Sequence, residues 1–182
     1  WMNEAAQPPN PPGAMVAVMG LNVSVLRDIV SDIGSETIAL ANINSLGQII
    51  LSGTKEAISR AENIAQEKGA KKTVMLNVSG AWHSPLMVPA EAKMKELIDS
   101  ELTKDTVLLN ETTFVVANVT AKEVTDYDEV KRTLTRQITS PVNWVDSVQR
   151  LSELGESKSP EEETNIPPLF VEIGPGKVLR GL

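Results

Sequence analysis

Apolar positions along residues 14–78 alternate between strand-like and helix-like spacing, which predicts six elements in the order β-α-β-β-α-β. The strands are expected at 14–19, 37–43, 48–51 and 72–78, and the helices at 22–33 and 54–69. Asn22 and Thr54 are typical helix N-caps, and Gly69 is typical of a helix end. This order is that of the split β-α-β, or ferredoxin-like, arrangement, so we predict such a subdomain over residues 14–78.

The pattern changes on both sides of this unit. Residues 7–13 read Gln-Pro-Pro-Asn-Pro-Pro-Gly, which favours an extended chain, so residues 1–13 are predicted to be a linker. Residues 79–182 alternate between helix and strand signals, which is typical of a parallel α/β sheet. The signals are a helix start at Ser84-Pro85, a strand at 114–116, a helix opened by Asp128, a helix at Trp144 and a strand at 169–173.

The strands predicted after residue 78 are too few to close the core of a parallel sheet. We therefore expect further strands to come from another segment. Residues 155–168 are acidic and contain proline, and they are predicted to form a disordered loop.

Composition excludes several classes of function. The net charge of −7 argues against nucleic acid as a partner, because phosphate binding requires a surplus of lysine and arginine. The chain has no cysteine and one histidine, so disulfides are excluded and no metal site is expected. The apolar runs are too short to span a bilayer, and we expect a cytoplasmic protein with no membrane partner.

The negative charge lies outside residues 14–78, where six basic residues balance six acidic ones. Within that range Lys68, Lys71 and Lys72 form one basic cluster. Such a cluster is either a solvated turn after a helix or a docking surface for an acidic partner.

His83 is the candidate catalytic residue. It directly precedes the predicted cap Ser84, where the start of a helix carries partial positive charge. That charge disfavours an imidazolium and favours a neutral ring that accepts a proton. The alternative is that Trp82 and His83 only fill a loop.

A base of this kind needs a nucleophile, and the sequence contains no G-x-S-x-G elbow. Ser45-Leu46-Gly47 lacks the preceding glycine and is followed by a predicted strand, so we reject it. Gly174-Pro175-Gly176-Lys177 lacks the spacing of a phosphate-binding loop and is expected to form a tight turn.

Five segments carry a resemblance to a known family: residues 13–15, 42–49, 78–87, 136–144 and 170–179. Together they resemble the malonyl-CoA:acyl-carrier-protein transacylases of fatty-acid synthesis, relatives of the polyketide-synthase acyltransferase domains. The resemblance implies a partial α/β-hydrolase-like parallel sheet with an inserted ferredoxin-like subdomain.

The resemblance also implies roles for particular residues. His83 is the general base for a serine, and the main-chain carbonyl of Gln137 orients its imidazole. Asn44 is expected to bind substrate, and Lys68, Lys71 and Lys72 to dock the carrier protein. The reaction implied is ping-pong transfer of malonyl from coenzyme A to the phosphopantetheine thiol of acyl carrier protein, with no bound cofactor.

The sequence departs from the family pattern because the serine elbow, the arginine that pairs with malonyl and the oxyanion-hole donors are all missing. We therefore expect a fragment that is inactive by itself. Two alternatives stay open: a non-catalytic module that binds the carrier protein, and an acyltransferase with a different, polyketide-type acyl specificity.

Overall fold

A computed structural model describes residues 1–8, 10–107, 113–157 and 169–173. Its helices and strands account for most of these residues. They are, in chain order, α1 (Met2–Ala5), β1 (Gly13–Met19), α2 (Val23–Ile33), β2 (Ile38–Ser45), β3 (Gln48–Thr54), α3 (Lys55–Glu67), β4 (Lys72–Met75), α4 (Val88–Glu101), β5 (Val116–Ala117), β6 (Lys122–Glu123), α5 (Tyr127–Arg136) and α6 (Trp144–Ser157).

Strands β1 to β4 form one sheet in the order β2-β3-β1-β4, and every neighbouring pair is antiparallel. The six elements from β1 to β4 follow the predicted order. Their ends differ from the prediction, because β2 and β3 extend further and β4 stops at Met75. Hydrogen bonds to a neighbouring strand set these ends, and the apolar pattern does not report them.

Helices α2 and α3 cover one face of the sheet, and their apolar sides form its core with β1, β2 and β3. Asn22 caps α2 by accepting from the amide of Val25 at 3.0 Å, and Thr54 caps α3 through the amide of Ala57 at 3.1 Å. Both predicted caps are confirmed. The large side chains buried most completely in this core are Val16, Val18, Leu26, Ile29, Ile38, Ile49, Leu51 and Ile58.

The beginning of the chain differs from the linker predicted over residues 1–13. Met2–Ala5 form one helical turn, and Ala5 is buried against Met87, Ala90 and Ile138. The proline-rich pattern begins only at residue 7, and Ala5, a small apolar residue before it, packs against a hydrophobic surface. Gly13 already belongs to β1.

The part after Val78 is helical where helices were predicted, but the described residues there hold no parallel sheet. Their strands β5 and β6 form a two-residue antiparallel pair, and the one isolated parallel bridge in the described chain joins Asn42 to Val142. Residues 169–173, predicted to be a buried strand, do not form a strand, and Ile173 is 94% exposed. An apolar run indicates a tendency to be buried, but a strand also needs a partner.

Two helix boundaries also need correction. The cap of α5 is Asp126, which accepts from the amide of Glu129 at 2.8 Å, so the helix begins before Asp128. Helix α6 begins at Trp144 as predicted and continues to Ser157, so the disordered loop predicted over 155–168 is wrong for its first three residues. Residues 158–168 and the predicted turn at 174–177 lie outside the described residues.

Among the helices of the described ranges, none combines the length and apolar character that a bilayer crossing requires.

Candidate active site around His83

His83 lies in a tight loop between β4 and a 3₁₀ turn at Pro85–Met87 that leads into α4. Its φ is 58°, in the left-handed region that costs a non-glycine residue about 1–2 kcal/mol. Ser84 is buried, donates to the carbonyl of Ala81 at 2.6 Å and accepts from the amide of Leu86 at 3.3 Å. The capping serine thus stabilises the loop conformation in which His83 has its left-handed backbone.

Trp82, the residue before His83, packs onto an apolar cluster of the protein. A Cβ added to Gly80 would lie 2.7 Å from the Trp82 ring, so the glycine makes room for the indole. Trp82 contacts the cluster of Ala5, Met87, Ala90 and Ile138. The tryptophan therefore fills the loop, and His83 beside it is likewise half-buried.

Two main-chain carbonyls hold the imidazole of His83 at one nitrogen. Its Nδ1 lies 3.0 Å from the carbonyl oxygen of Gln137 and 3.2 Å from that of Ser140. Carbonyl oxygens only accept hydrogen bonds, so Nδ1 carries the hydrogen. In the neutral ring this leaves Nε2 with a lone pair that accepts a proton.

The loop that supplies these carbonyls, residues 137–143, is fixed at both ends. At its start, Ile138 is buried against Met87 and Ala90. At its end, the amide of Val142 donates to Ala41 at 2.8 Å and its carbonyl accepts from Ile43 at 2.9 Å. The imidazole is therefore held by a loop that follows α5 and is hydrogen-bonded to the edge strand β2.

Asn44 lies on this same edge strand, two residues beyond the bridge at Asn42. It lines an open apolar groove of about 450 Å³ together with Leu46 and the first turns of α6. Ser45 ends β2, and β3 follows after two turn residues, so no helix starts behind this serine. The rejection of Ser45 as an elbow nucleophile agrees with this geometry.

Lys68, Lys71 and Lys72 are exposed where α3 ends and β4 begins. The amide of Lys71 donates to the carbonyl of Met19 at the end of β1. The His83 loop contacts the other end of β1, because Gly13 lies against Gly80 and Ala81. Seven strand residues separate these ends by about 20 Å, so the lysines are remote from the imidazole.

The carbonyl of Ser140 is a site group that the sequence analysis missed. It belongs to a residue 57 positions from His83, and no side-chain pattern marks a carbonyl that turns toward a histidine. Within the described ranges, no group of three or more histidine, cysteine, aspartate or glutamate residues could hold a metal ion.

A charged pair fixes α6, whose first turns border the Asn44 groove. Arg150 donates from Nε to Glu123 at 2.8 Å and from a terminal nitrogen to the other carboxylate oxygen at 2.5 Å. The Arg150 side-chain hydrogen bonds, followed by a backbone hydrogen bond, lower the pKa of Glu123 from 4.5 to about 2. The forked contact joins β6 to α6.

This pair predicts a particular acid dependence of stability. A carboxyl whose pKa is lowered in the folded state stabilises the fold above its unfolded pKa of 4.5, and this stabilisation is lost as the pH falls toward about 2. Glu123→Gln should flatten the decrease in unfolding free energy between those pH values, measured by urea titration at each pH. Arg150→Met should flatten it similarly, and a wild-type decrease in both variants would contradict the prediction.

Comparison with known proteins shows which proteins the chain is similar to. No protein-family model matches it. A curated relative from Bacillus subtilis, a malonyl CoA-acyl carrier protein transacylase, is 38% identical over 184 residues, which cover 100% of this chain and 52% of the relative. Over its whole length the chain is thus similar to part of the malonyl CoA-acyl carrier protein transacylases.

Solved structures of transacylases show the same similarity. An acyl-carrier-protein S-malonyltransferase from Burkholderia pseudomallei is 33% identical with a TM-score of 0.82, and the match covers 100% of this chain and 53% of that one. A malonyl-transacylase in complex with a type II PKS acyl-carrier protein is 30% identical with a TM-score of 0.82, at the same coverage. The chain thus spans about half the length of the transacylases it matches.

Proposed function

We propose that His83 is the general base of a malonyl transfer from coenzyme A to the phosphopantetheine thiol of an acyl carrier protein. The observation that supports this most directly is the pair of carbonyls at Nδ1, since they leave Nε2 as the proton acceptor. Similarity to the transacylases supplies the substrate class.

Nε2 of His83 acts in both halves of the reaction. It takes the proton of a serine hydroxyl as the serine oxygen attacks the malonyl thioester, and it returns that proton to the departing coenzyme A sulfur. It then takes the proton of the carrier thiol, whose sulfur attacks the malonyl-serine ester, and returns it to the serine oxygen. The Gln137 and Ser140 carbonyls stabilise the imidazolium between these steps, as a carboxylate does in a catalytic triad.

The nucleophilic serine belongs, in this proposal, to a part of the family fold that the printed sequence does not contain. Two features support this: the sequence has no G-x-S-x-G elbow, and the chain spans about half of its relatives. The finer fold class is part of the same proposal. Residues 14–78 are the ferredoxin-like subdomain, supported by the strand order β2-β3-β1-β4, and residues 79–182 belong to the hydrolase-like part.

The carrier protein is the proposed partner, and the cytoplasm the proposed location. Lys68, Lys71 and Lys72 are candidates to dock an acidic carrier protein, supported by their exposure and by the lack of net charge in residues 14–78. Asn44 is a candidate substrate contact, because its strand is bridged to the loop that holds His83. One solved relative, in complex with an acyl-carrier protein, supports the partner.

A chimera tests the proposal. The region of the Bacillus subtilis relative that precedes the match is fused to this chain, and malonyl transfer from labelled malonyl-CoA to acyl carrier protein is measured. We expect transfer by the chimera and none by either part alone. If the chimera is folded but shows no transfer, and this chain still binds carrier protein, the result would favour the non-catalytic binding module instead.

A further inference from the structure

A partly buried hydrogen bond between two side chains joins α4, the helix that follows His83, to the loop that holds the His83 imidazole. The hydroxyl of Thr139 donates to Oε2 of Glu91, and the two residues are 48 positions apart. Glu91 lies in the first turn of α4, where a carboxylate is favourable next to the positive end of the helix. Thr139 lies between Gln137 and Ser140, the two residues whose carbonyls contact Nδ1.

Thr139 lies in the short turn that carries both carbonyls, and the amides of Thr139 and Ser140 hold that turn by donating to the Arg136 carbonyl at 3.2 and 2.9 Å. The Thr139 hydroxyl also lies 3.3 Å from the Arg136 carbonyl, and its contact with Glu91 connects the turn to α4. Contacts between α4 and Ile138 are apolar and therefore do not fix an orientation. The hydrogen bond to Glu91 is directional, and it acts at the end of α4 nearest His83.

The other polar links between α4 and α5 are too far along α4 to do this. Lys131 pairs with Asp99 at 2.6 Å, and the Tyr127 hydroxyl donates to the carbonyl of Leu102 just beyond the helix end. Asp99 is 42% exposed, so its pair with Lys131 contributes little. Among the described residues of α4, Glu91 is thus the one whose side chain hydrogen-bonds to the loop that carries the two carbonyls.

We infer that Glu91 is a positioning residue, which through Thr139 holds the Gln137 and Ser140 carbonyls on Nδ1 and so fixes His83 in the tautomer that leaves Nε2 free to accept a proton. Its importance for catalysis rests on the proposed function. Its effect on the tautomer does not, and the two are tested separately.

The single histidine of the chain makes the test direct. A two-bond ¹⁵N–¹H spectrum of the labelled 182-residue chain, at a pH where the ring is neutral, contains one imidazole. In the wild type we expect a protonated Nδ1 signal well separated from an unprotonated Nε2 signal. In Glu91→Ala and in Thr139→Val, the signals should lose roughly half of this separation, because the proton then distributes over both nitrogens.

If Glu91→Ala or Thr139→Val unfolds, conservative variants still test the inference. Thr139→Ser keeps the hydroxyl and Glu91→Gln keeps an acceptor oxygen, so both should retain the wild-type separation. Glu96→Ala, an exposed carboxylate on the same helix, is the matched control and should also retain it. The double variant Glu91→Ala/Thr139→Val should shift the signals no further than either single variant, since both remove the same bond.

Two outcomes would overturn the inference. One is a wild-type separation in folded Glu91→Ala or Thr139→Val, with folding checked by circular dichroism. The other is a collapsed separation in the conservative pair, which would mean that the shape of the loop, and not this hydrogen bond, holds the ring. An inactive chimera with the expected tautomer shifts would refute the proposed function and leave the positioning role in place.

Discussion

Replacing His83 by alanine should lower malonyl transfer by the chimera by about 10²–10⁴-fold, the range that a positioned general base contributes. The methyl group cannot take the serine proton or the thiol proton, so both half-reactions slow. The measurement is kcat/KM for transfer to acyl carrier protein, together with the yield of malonyl-enzyme in the first half-reaction. Circular dichroism of the variant checks that the loop change has not unfolded the chain.

The matched control for this variant keeps the left-handed backbone but changes another residue of the same loop. Trp82→Phe retains an aromatic ring against the apolar cluster and should stay within a few-fold of the unmodified chimera. Wild-type kcat/KM in His83→Ala would show that another group takes the proton, and the role assigned to His83 would be abandoned.

The sheet of β1 to β4 was predictable because its signals are local. Asn22 and Thr54 mark helix starts by their own side chains, and α2 packs on the strand that follows it, although α3 packs on β1 as well as on the preceding β3. Such local signals need no information about distant parts of the chain. The strand ends were less accurate, since pairing with β1 and β3 determines them.

The part after Val78 was less predictable because its structure depends on distant partners. The apolar run at 169–173 carries a clear strand pattern, yet it does not form a strand and Leu169 is 87% exposed. The helix at Met2–Ala5 was missed for the opposite reason, since a short weak signal is stabilised by packing of Ala5 on α4. In both cases packing against the rest of the protein, and not the local pattern, decided whether the element formed.

The site, like the fold, could be predicted from the sequence only in part. His83 was found from its place before a helix cap, but the residue types alone could not pair it with Gln137, 54 positions away. That pairing was implied by the family resemblance. The Ser140 carbonyl and the Glu91–Thr139 bond were missed altogether, because both depend on how a loop folds back onto α4.

Gly13→Ala should lower the free energy of unfolding by about 1–3 kcal/mol, the usual cost of inserting a methyl group into a packed site. A Cβ at this position would lie 2.8 Å from the Ala81 Cβ and 2.9 Å from the Gly80 carbonyl carbon, and closer still to the Ala81 amide nitrogen. Two of these three atoms are backbone, so β1 and the His83 loop must separate. Urea unfolding of the chain measures the cost.

Gly47→Ala is the matched control, because a Cβ there has no atom within 4 Å among the described residues, and its stability should stay within about 0.5 kcal/mol of wild type. The contact at Gly13 also connects stability to chemistry. If β1 supports the loop that carries His83, Gly13→Ala should reduce kcat/KM of the chimera even at temperatures where it is fully folded. Unchanged kcat/KM in a destabilised but folded Gly13→Ala chimera would mean that the loop keeps its geometry without β1, and that Ser84 and the two carbonyls suffice to hold the imidazole.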